Sequence, residues 1–439
     1  MFTKPRGTQD ILPNEAYTWQ DLEYIIREVS SVFNFEEIRT PIFESTELFH
    51  RTAGETSDIV QKETYDFLDR ANRSNTLRPE GTASVVRSFI ENKLYALPGA
   101  KKLYYVGPMF RYENPQKGRQ RQFHQFGAEL LGVTSPLGDA EMISYAYNLI
   151  KALKLPGVKV HINSLGDKES KENYKNALRE YLADKIDGLC YDCRQRYNTN
   201  PLRILDCKVD ASNEIFKNIP KPVDYLTLED RKHFDDVLNY LNLMNIPYEV
   251  DNMLVRGLDY YTHTVFEIKS DLAILGNAST IGGGGRYNNL VKELGGPETG
   301  AVGFAFGLER LVIAMNEINT QKFENYIHLF VIALGERAHL KACELVAFGR
   351  SHGLTCEMEY NQGSSLKSQF KSSERLNASY IVILGDNELD NNLAKLKNTK
   401  TKEEIETSVD GVFKTLVKDI RKSQAHSCGG CQGGCHEEN

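Results

Sequence analysis

Apolar and polar positions divide the chain into three regions of different rhythm. From residue 1 to about 320, helical stretches alternate with short strand runs and glycine-containing turns. The runs Lys102-Leu-Tyr-Tyr-Val106 and Gly127-Ala-Glu-Leu-Leu131 lie close together, joined by a polar segment. That arrangement predicts a hairpin, so the main sheet is expected to be antiparallel and this first domain α+β. Within it, residues 164 to 248 are rich in Lys, Glu, Asn and helix formers, as in Lys168-Glu-Ser-Lys-Glu-Asn-Tyr-Lys175, and predict a mostly helical insertion. After Thr320 the rhythm changes. His328-Leu-Phe-Val-Ile-Ala-Leu334 predicts a buried strand, followed by a helical stretch and by Thr355-Cys-Glu-Met-Glu-Tyr360. A helix is expected from Ser365 to Leu376, then the strand Tyr380-Ile-Val-Ile-Leu384. Strands alternating with helices predict a parallel α/β layer, a separate domain over 325–422. Residues 423–439 form a Gly- and Cys-rich tail without periodicity, expected to be flexible.

Composition changes this picture little. A chain of 439 residues, 41% hydrophobic and 26% charged, suits a soluble protein of about three domains. No apolar run approaches a membrane span, and Met1-Phe2-Thr3-Lys4-Pro5-Arg6 has no apolar core behind it. Neither a membrane anchor nor a signal peptide is expected, and the cytoplasm is the default compartment. The net charge of −7 argues against a broadly basic surface. It leaves room for RNA binding, which needs only a local basic track. The eight cysteines fall in two clusters plus Cys343 and Cys356 and do not form a disulfide framework. Mostly free thiols are expected.

Candidate chemistry concentrates in Gly107-Pro-Met-Phe-Arg-Tyr-Glu-Asn-Pro-Gln-Lys-Gly-Arg-Gln-Arg-Gln-Phe-His-Gln125. Two strands flank a loop holding Lys117, Arg119 and Arg121. Planar guanidinium forks suit phosphate, and Arg111 on the first strand is rigidly placed for one. Phe123 offers an apolar face for a purine. A surface hairpin with scattered charges is the plainer reading of this stretch alone. The order Phe-Arg-x-Glu, basic loop, Arg-x-Phe resembles motif 2 of the class II aminoacyl-tRNA synthetases. Gly303-Phe-Ala-Phe-Gly-Leu-Glu-Arg-Leu311 resembles their motif 3, a strand entering a helix. Phe35-Glu-Glu-Ile-Arg-Thr-Pro-Ile-Phe-Glu44 resembles their motif 1, with Pro41 at a bend.

Three further stretches narrow the resemblance to the histidyl-tRNA synthetase family. Thr76-Leu-Arg-Pro-Glu-Gly-Thr82 looks like its amino-acid loop. Leu254-Val-Arg-Gly-Leu-Asp-Tyr-Tyr-Thr-His-Thr-Val-Phe266 looks like its histidine block, and Gly282-Gly-Gly-Gly-Arg-Tyr287 like its second glycine-rich block. The resemblance runs from Gly7 to about Ile420 and implies a class II catalytic domain followed by an anticodon-binding domain. It implies ATP and L-histidine as substrates, Mg²⁺ on the leaving pyrophosphate, tRNA(His) as the acceptor, and a homodimer. Glu80, Gly81, Thr82 and Gln125 are then expected around the ammonium of histidine, with Glu129, Tyr260 and Tyr261 around its imidazole. A site that hydrogen-bonds a polar side chain rejects apolar analogues strongly. Arg256 and Arg111 are the expected catalytic pair on the α-phosphate, where charge builds in the transition state. Glu113 and Phe123 are assigned to adenine, Arg119 and Arg310 to the β/γ end. Gln116 and Arg119 are expected to meet the acceptor end of the tRNA. Lys367 and Lys371, with Arg375, recur at i, i+4 on one predicted helix face and are candidates for the anticodon stem. Asn114 stands where the family carries an arginine.

Each position also has a plain structural reading. Glu80 can simply cap the helix from Thr82. Tyr260 and Tyr261 can be core aromatics on a strand. Gly282 to Gly285 can mark a turn. Cys190, Cys193 and Cys207 are one ligand short of a zinc set and read as free thiols in a packed insertion. Cys428, Cys431, Cys435 and His436 in the tail, with His426 nearby, can hold a soft metal ion. The rival function is that of a non-catalytic regulatory subunit of histidine biosynthesis. Such chains resemble this family but lack the C-terminal domain and parts of the histidine block, and both are present here.

Overall fold

The computed structural model describes residues 2–53, 62–116, 118–276, 280–318 and 326–427, with no side chains described at 53 and 422–427. Two compact units divide between Gln321 and Lys322. In the first, the strands along the chain are β1 (Glu36–Glu37), β2 (Phe43–Ser45), β3 (Tyr65–Leu68), β4 (Ser74–Leu77), β5 (Lys101–Phe110), β6 (Gln122–Leu131), β7 (Val158–Ser164), β8 (Tyr248–Val250), β9 (Thr262–Ser270), β10 (Thr280–Arg286) and β11 (Ala301–Gly307). Its helices are α1 (Pro13–Val32), α2 (Thr46–Ala53), α3 (Thr82–Glu91), α4 (Pro136–Ala152), α5 (Lys168–Leu182), α6 (Tyr191–Thr199), α7 (Leu228–Leu243), α8 (Leu290–Glu293) and α9 (Leu308–Ile318).

The main sheet has the order β1-β5-β6-β11-β10-β9-β7-β8. Its six inner strands are antiparallel, as the hairpin pattern predicts, and the short outer strands β1 and β8 pair in parallel. Side chains alternate between faces along a strand. Even-numbered residues such as Tyr104, Phe126, Phe266, Val302, Phe304 and Phe306 enter a buried core with α1, α4, α7 and α9. Each Å² of apolar surface buried there stabilises the unit by about 25 cal/mol.

The opposite face carries the odd-numbered residues. Glycine is frequent there: Gly107, Gly127, Gly283, Gly285, Gly303 and Gly307 leave much of that surface as backbone. Gly282 to Gly285 therefore lie in the middle of a strand and do not form a turn. Gly284 comes so close to β11 that a Cβ would sit 2.0 Å from the Gly303 carbonyl oxygen. Strand pairing, not chain reversal, explains this glycine run.

The insertion is mostly helical, from α5 through α6 to α7, with short 3-10 turns between. Asp167, at the N-cap of α5, accepts from Ser170 N, and Thr227 caps α7 in the same way. Arg78 fastens the bend at Thr40–Pro41 to the main sheet. Its Nη1 donates to the Thr40 carbonyl at 3.0 Å and its Nε to the Pro108 carbonyl at 2.9 Å.

The second unit contains β12 (Ile327–Ala333), α10 (Glu336–Ser351), β13 (Cys356–Met358), α11 (Leu366–Arg375), β14 (Ala378–Leu384), α12 (Asp386–Asp390), β15 (Ala394–Asn398), β16 (Glu404–Thr407) and α13 (Val412–Ser427). Its sheet order is β13-β12-β14-β15-β16. The first three strands are parallel, but β15 and β16 run antiparallel, so the layer is mixed and not wholly parallel. These two strands bury only one face and pair Lys395 with Glu406 and Lys397 with Glu404 on the other. Their Lys- and Glu-rich sequence therefore hides the strand signal.

Candidate active site

The odd-numbered face of the main sheet gathers most of the residues expected at the site. Phe123, Gln125 and Glu129 lie on it along β6, opposite Met109, Gly107 and Leu103 of β5. Arg111 lies one residue beyond β5, but its N–H donates to the Arg121 carbonyl at 2.8 Å and extends the ladder. Its Nε donates to the Pro79 carbonyl at 2.9 Å, which ties it to the loop before α3. The Arg111 guanidinium stands 5.3 Å from the centre of the Phe123 ring.

Glu113 lies between two arginines, 3.9 Å from Arg111 Nη1 and 3.4 Å from Arg119 Nη1. Gln116 and Arg119 exchange backbone hydrogen bonds around a tight turn in which Gly118 has φ +73°, and the Gln116 side chain is exposed. Lys117 lies outside the described residues. Arg310, at the start of α9, donates to the Thr280 carbonyl at 2.5 Å. Burial, then the nearby Arg119, lowers its proton affinity. Two neighbouring cations in a half-buried setting make an anion welcome.

Glu80, Glu129 and the tyrosines form the deeper end. The Glu80 carboxylate accepts from Thr82 N at 2.6 Å and Ala83 N at 2.9 Å. It thus caps α3, as its plain structural reading predicts, while burial pushes its proton affinity up. Glu129 is fully buried. It accepts from Thr82 Oγ1 at 2.7 Å, from the Tyr287 hydroxyl, and from the Tyr105 hydroxyl at 3.5 Å. Burial raises its pKa to about 8, against those hydrogen bonds. Gly303 is the neighbour that makes room for it, since a Cβ there would meet its carboxylate at 1.7 Å.

Tyr260 and Tyr261 are buried, but in the turn before β9 and not on a strand. Their ring centres are 4.7 Å apart, and the Arg256 guanidinium stands 5.8 Å from the Tyr261 ring. Arg256 Nη1 donates to the Glu267 carboxylate at 2.6 Å, and Glu267 also accepts from Thr280 Oγ1 at 2.8 Å. Burial opposes the charge on Arg256, but Tyr261, Glu267 and Tyr260 outweigh it and raise its proton affinity. A Cβ at Gly283 would lie 2.9 Å from Arg256 Nη1, so the bare strand is what lets the guanidinium lie on the sheet.

Among the described residues, two buried polar atoms here have no hydrogen-bond partner: Gln125 Oε1, an acceptor, and Arg256 Nε, a donor. A buried orphan costs about 1–3 kcal/mol. The pair suits a ligand carrying an ammonium and an anionic oxygen. Gly307, directly across from Gln125, has no atom of the described residues within 4 Å of where its Cβ would be.

Sequence reasoning passes over Tyr105, Glu267 and the role of Tyr287. Parity along β5 could have found Tyr105, which shares a face with Arg111, and the quoted glycine block already ends on Tyr287. Glu267 carries no local signal, because its pairing with Arg256 depends on how the chain returns after the insertion. Lys367, Lys371 and Arg375 all lie exposed along α11. Gln369 on the buried side of that helix bonds both the N–H and the carbonyl of Ala333, fixing the exposed face. The tail positions Cys428, Cys431, Cys435 and His436 lie outside the described residues, and nothing is described of the His426 side chain.

Comparison with known proteins follows the same division. A family model described as histidyl-tRNA synthetase matches residues 7–311, and one described as an anticodon binding domain matches residues 328–419. A histidine–tRNA ligase of Acholeplasma laidlawii is 49% identical over 94% of this chain and 99% of its own length. That of Bacillus subtilis is 48% identical over 92% of this chain and 96% of its own. The apo histidyl-tRNA synthetase of S. aureus superposes with a TM-score of 0.81 at 39% identity, covering 95% of this chain and 100% of that one. A Bacillus halodurans protein described as an ATP phosphoribosyltransferase regulatory subunit/histidyl-tRNA synthetase shares the fold at a TM-score of 0.62 and 22% identity, covering 88% of this chain and 99% of that one.

Proposed function

The chain belongs to the histidyl-tRNA synthetase family, and we infer from this that it activates L-histidine with ATP and charges tRNA(His). The observation that carries the reading at the site is the pair of unmatched buried atoms, Gln125 Oε1 and Arg256 Nε, on a glycine-paved sheet face.

Histidine enters with its ammonium toward Gln125 Oε1, Glu80, Gly81 and Thr82. Its imidazole lies between Glu129, held by Tyr287 and Tyr105, and the pair Tyr260 and Tyr261. ATP lies with its adenine on Phe123, its amino group toward Glu113, and its β/γ end toward Arg119 and Arg310. The histidine carboxylate attacks the α-phosphorus, the bond to the bridging oxygen breaks, and pyrophosphate leaves. Arg111 and Arg256 face the α-phosphate, whose charge grows in the transition state, so they stabilise that state more than the ground state. In the second step the terminal ribose hydroxyl attacks the histidyl carbonyl and AMP leaves.

Among the described residues the one group with metal-ligand spacing lies in the insertion. Mg²⁺ is proposed to arrive on the phosphates of ATP, where it would neutralise the leaving pyrophosphate. Gln116 and Arg119 are assigned to the acceptor end of the tRNA, and Lys367, Lys371 and Arg375 to the anticodon stem. We further propose a homodimer in the cytoplasm. The exposed Phe43, Phe67 and Leu68 of the small β2-β4-β3 sheet support the dimer.

Histidine-dependent exchange of labelled pyrophosphate into ATP tests the central reading. Exchange is expected with L-histidine and absent with phenylalanine. A folded protein without exchange would overturn it. Light scattering that returns a single-chain mass would overturn the dimer alone.

A further inference from the structure

Three cysteines that take no part in the site described above come together in the insertion. Cys190 sits at the N-cap of α6 and Cys193 in its first turn, while Cys207 and Asp210 follow on the segment after it. One donor atom from each of the four lies within 4.8 Å of every other. Cys193 is fully buried, Cys207 and Asp210 nearly so. Asp210 is the residue that spacing alone does not reveal. The Cys190 N–H orients it, donating to its two carboxylate oxygens at 3.2 and 3.0 Å.

Two of the six donor separations match tetrahedral edges, and the others stay within 4.8 Å. Zn–S bonds of about 2.3 Å and a Zn–O bond of about 2.0–2.2 Å require S···S edges of about 3.8 Å and S···O edges of about 3.5–3.7 Å. Cys190 Sγ to Cys207 Sγ is 3.6 Å, and Cys207 Sγ to Asp210 Oδ2 is 3.6 Å. All three thiols are free of disulfide bonds. Three thiolates select a soft or borderline ion over Mg²⁺ or Ca²⁺.

We propose that Cys190, Cys193, Cys207 and Asp210 form a structural zinc site. All four positions are filled by protein, leaving none open for catalysis. Its role is mechanical. The core around it is small, holding Leu182, Leu189, Cys193, Ile204 and Cys207. The bridged segment reaches the histidine block: Arg203 donates to the Gly257 carbonyl at 2.7 Å, and Asn200 donates to Asp259 at 3.3 Å. Zinc at Cys207 thus steadies the residues that position Arg256 and Tyr261.

The test uses the full chain with Cys428, Cys431 and Cys435 changed to serine, so that tail thiols do not contribute. Elemental analysis after purification without chelator is expected to find one zinc per chain. Cys193→Ser and Cys207→Ser should each abolish it, and Cys343→Ser at the exposed thiol should not. Should those variants fail to fold, Co²⁺ added to the chelator-treated parent should reach an endpoint at one equivalent, with the intense visible bands of a tetrahedral thiolate complex. Hydrogen exchange at 254–261 should quicken on metal removal. A parent that takes up neither zinc nor cobalt overturns the proposal. So does metal retained in Cys193→Ser, or a Cys190–Cys207 disulfide found by mass spectrometry of the freshly isolated protein.

Discussion

Replacing Arg256 by alanine separates catalytic electrostatics from architecture. A unit charge about 4 Å from a phosphate oxygen, at an effective dielectric of about 20, is worth about 4 kcal/mol. Glu267, 2.6 Å from Arg256 Nη1, offsets part of that field. The expected loss therefore falls in the range for one oxyanion donor, about 10²–10³ in turnover. The structural cost is smaller. The Arg256 and Glu267 side chains are 20% and 18% exposed, and Glu267 keeps its bond from Thr280. About 1–3 kcal/mol of stability is the expected loss, below that of breaking a fully buried pair. Pyrophosphate exchange gives kcat and the histidine KM, and urea unfolding runs alongside. Tyr261→Phe is the companion. The Tyr261 ring lies 5.8 Å from the Arg256 guanidinium, a contact that phenylalanine keeps, so the variant should mainly raise the histidine KM. Turnover within about threefold of the parent in a stably folded Arg256→Ala would refute the catalytic assignment, as would a defect confined to KM.

Three further outcomes are expected. Burial lifts Glu129 from 4.5 to about 8, so the native state holds this proton more tightly than the unfolded chain and loses stability as pH rises between those values. Glu129→Gln should flatten that slope, by up to about 5 kcal/mol across the window; identical unfolding midpoints in parent and variant at every pH would refute it. Gly307→Val should fold normally, because no atom of the described residues lies within 4 Å of its Cβ position, yet raise the KM for histidine or ATP; unchanged kinetics would show that this space is not occupied by substrate. Removing Lys367 and Lys371 together should leave pyrophosphate exchange intact and weaken tRNA charging, lowering the salt slope of tRNA binding by about one per lost phosphate contact; an unchanged slope would clear α11 of that role.

The antiparallel sheet and helical insertion are legible because period-two alternation and helix formers act locally. The grouping of Arg111, Phe123, Gln125 and Glu129 is legible for the same reason, since odd-numbered strand neighbours share a face. What is missed depends on contacts distant in sequence. The glycines 282–285 suggest a turn in isolation, and only the neighbouring strand and Arg256 show why they lie flat. Glu267 and Asp210 look like ordinary surface carboxylates until Arg256 and Cys190 meet them. Strands β15 and β16 are hidden because one face of each is a ladder of charge.

The glycine-paved face makes adaptation of this pocket's floor one-directional. Where the floor is backbone, no substitution can deepen it, and every change at Gly283, Gly285, Gly303 or Gly307 adds atoms. Changes to this floor can fit the pocket to smaller occupants but not to larger ones. An inhibitor resting on that floor would be hard to escape. A resistance allele at these glycines would narrow the space that the substrates use as well, so drug evasion and loss of growth would arrive in the same mutation.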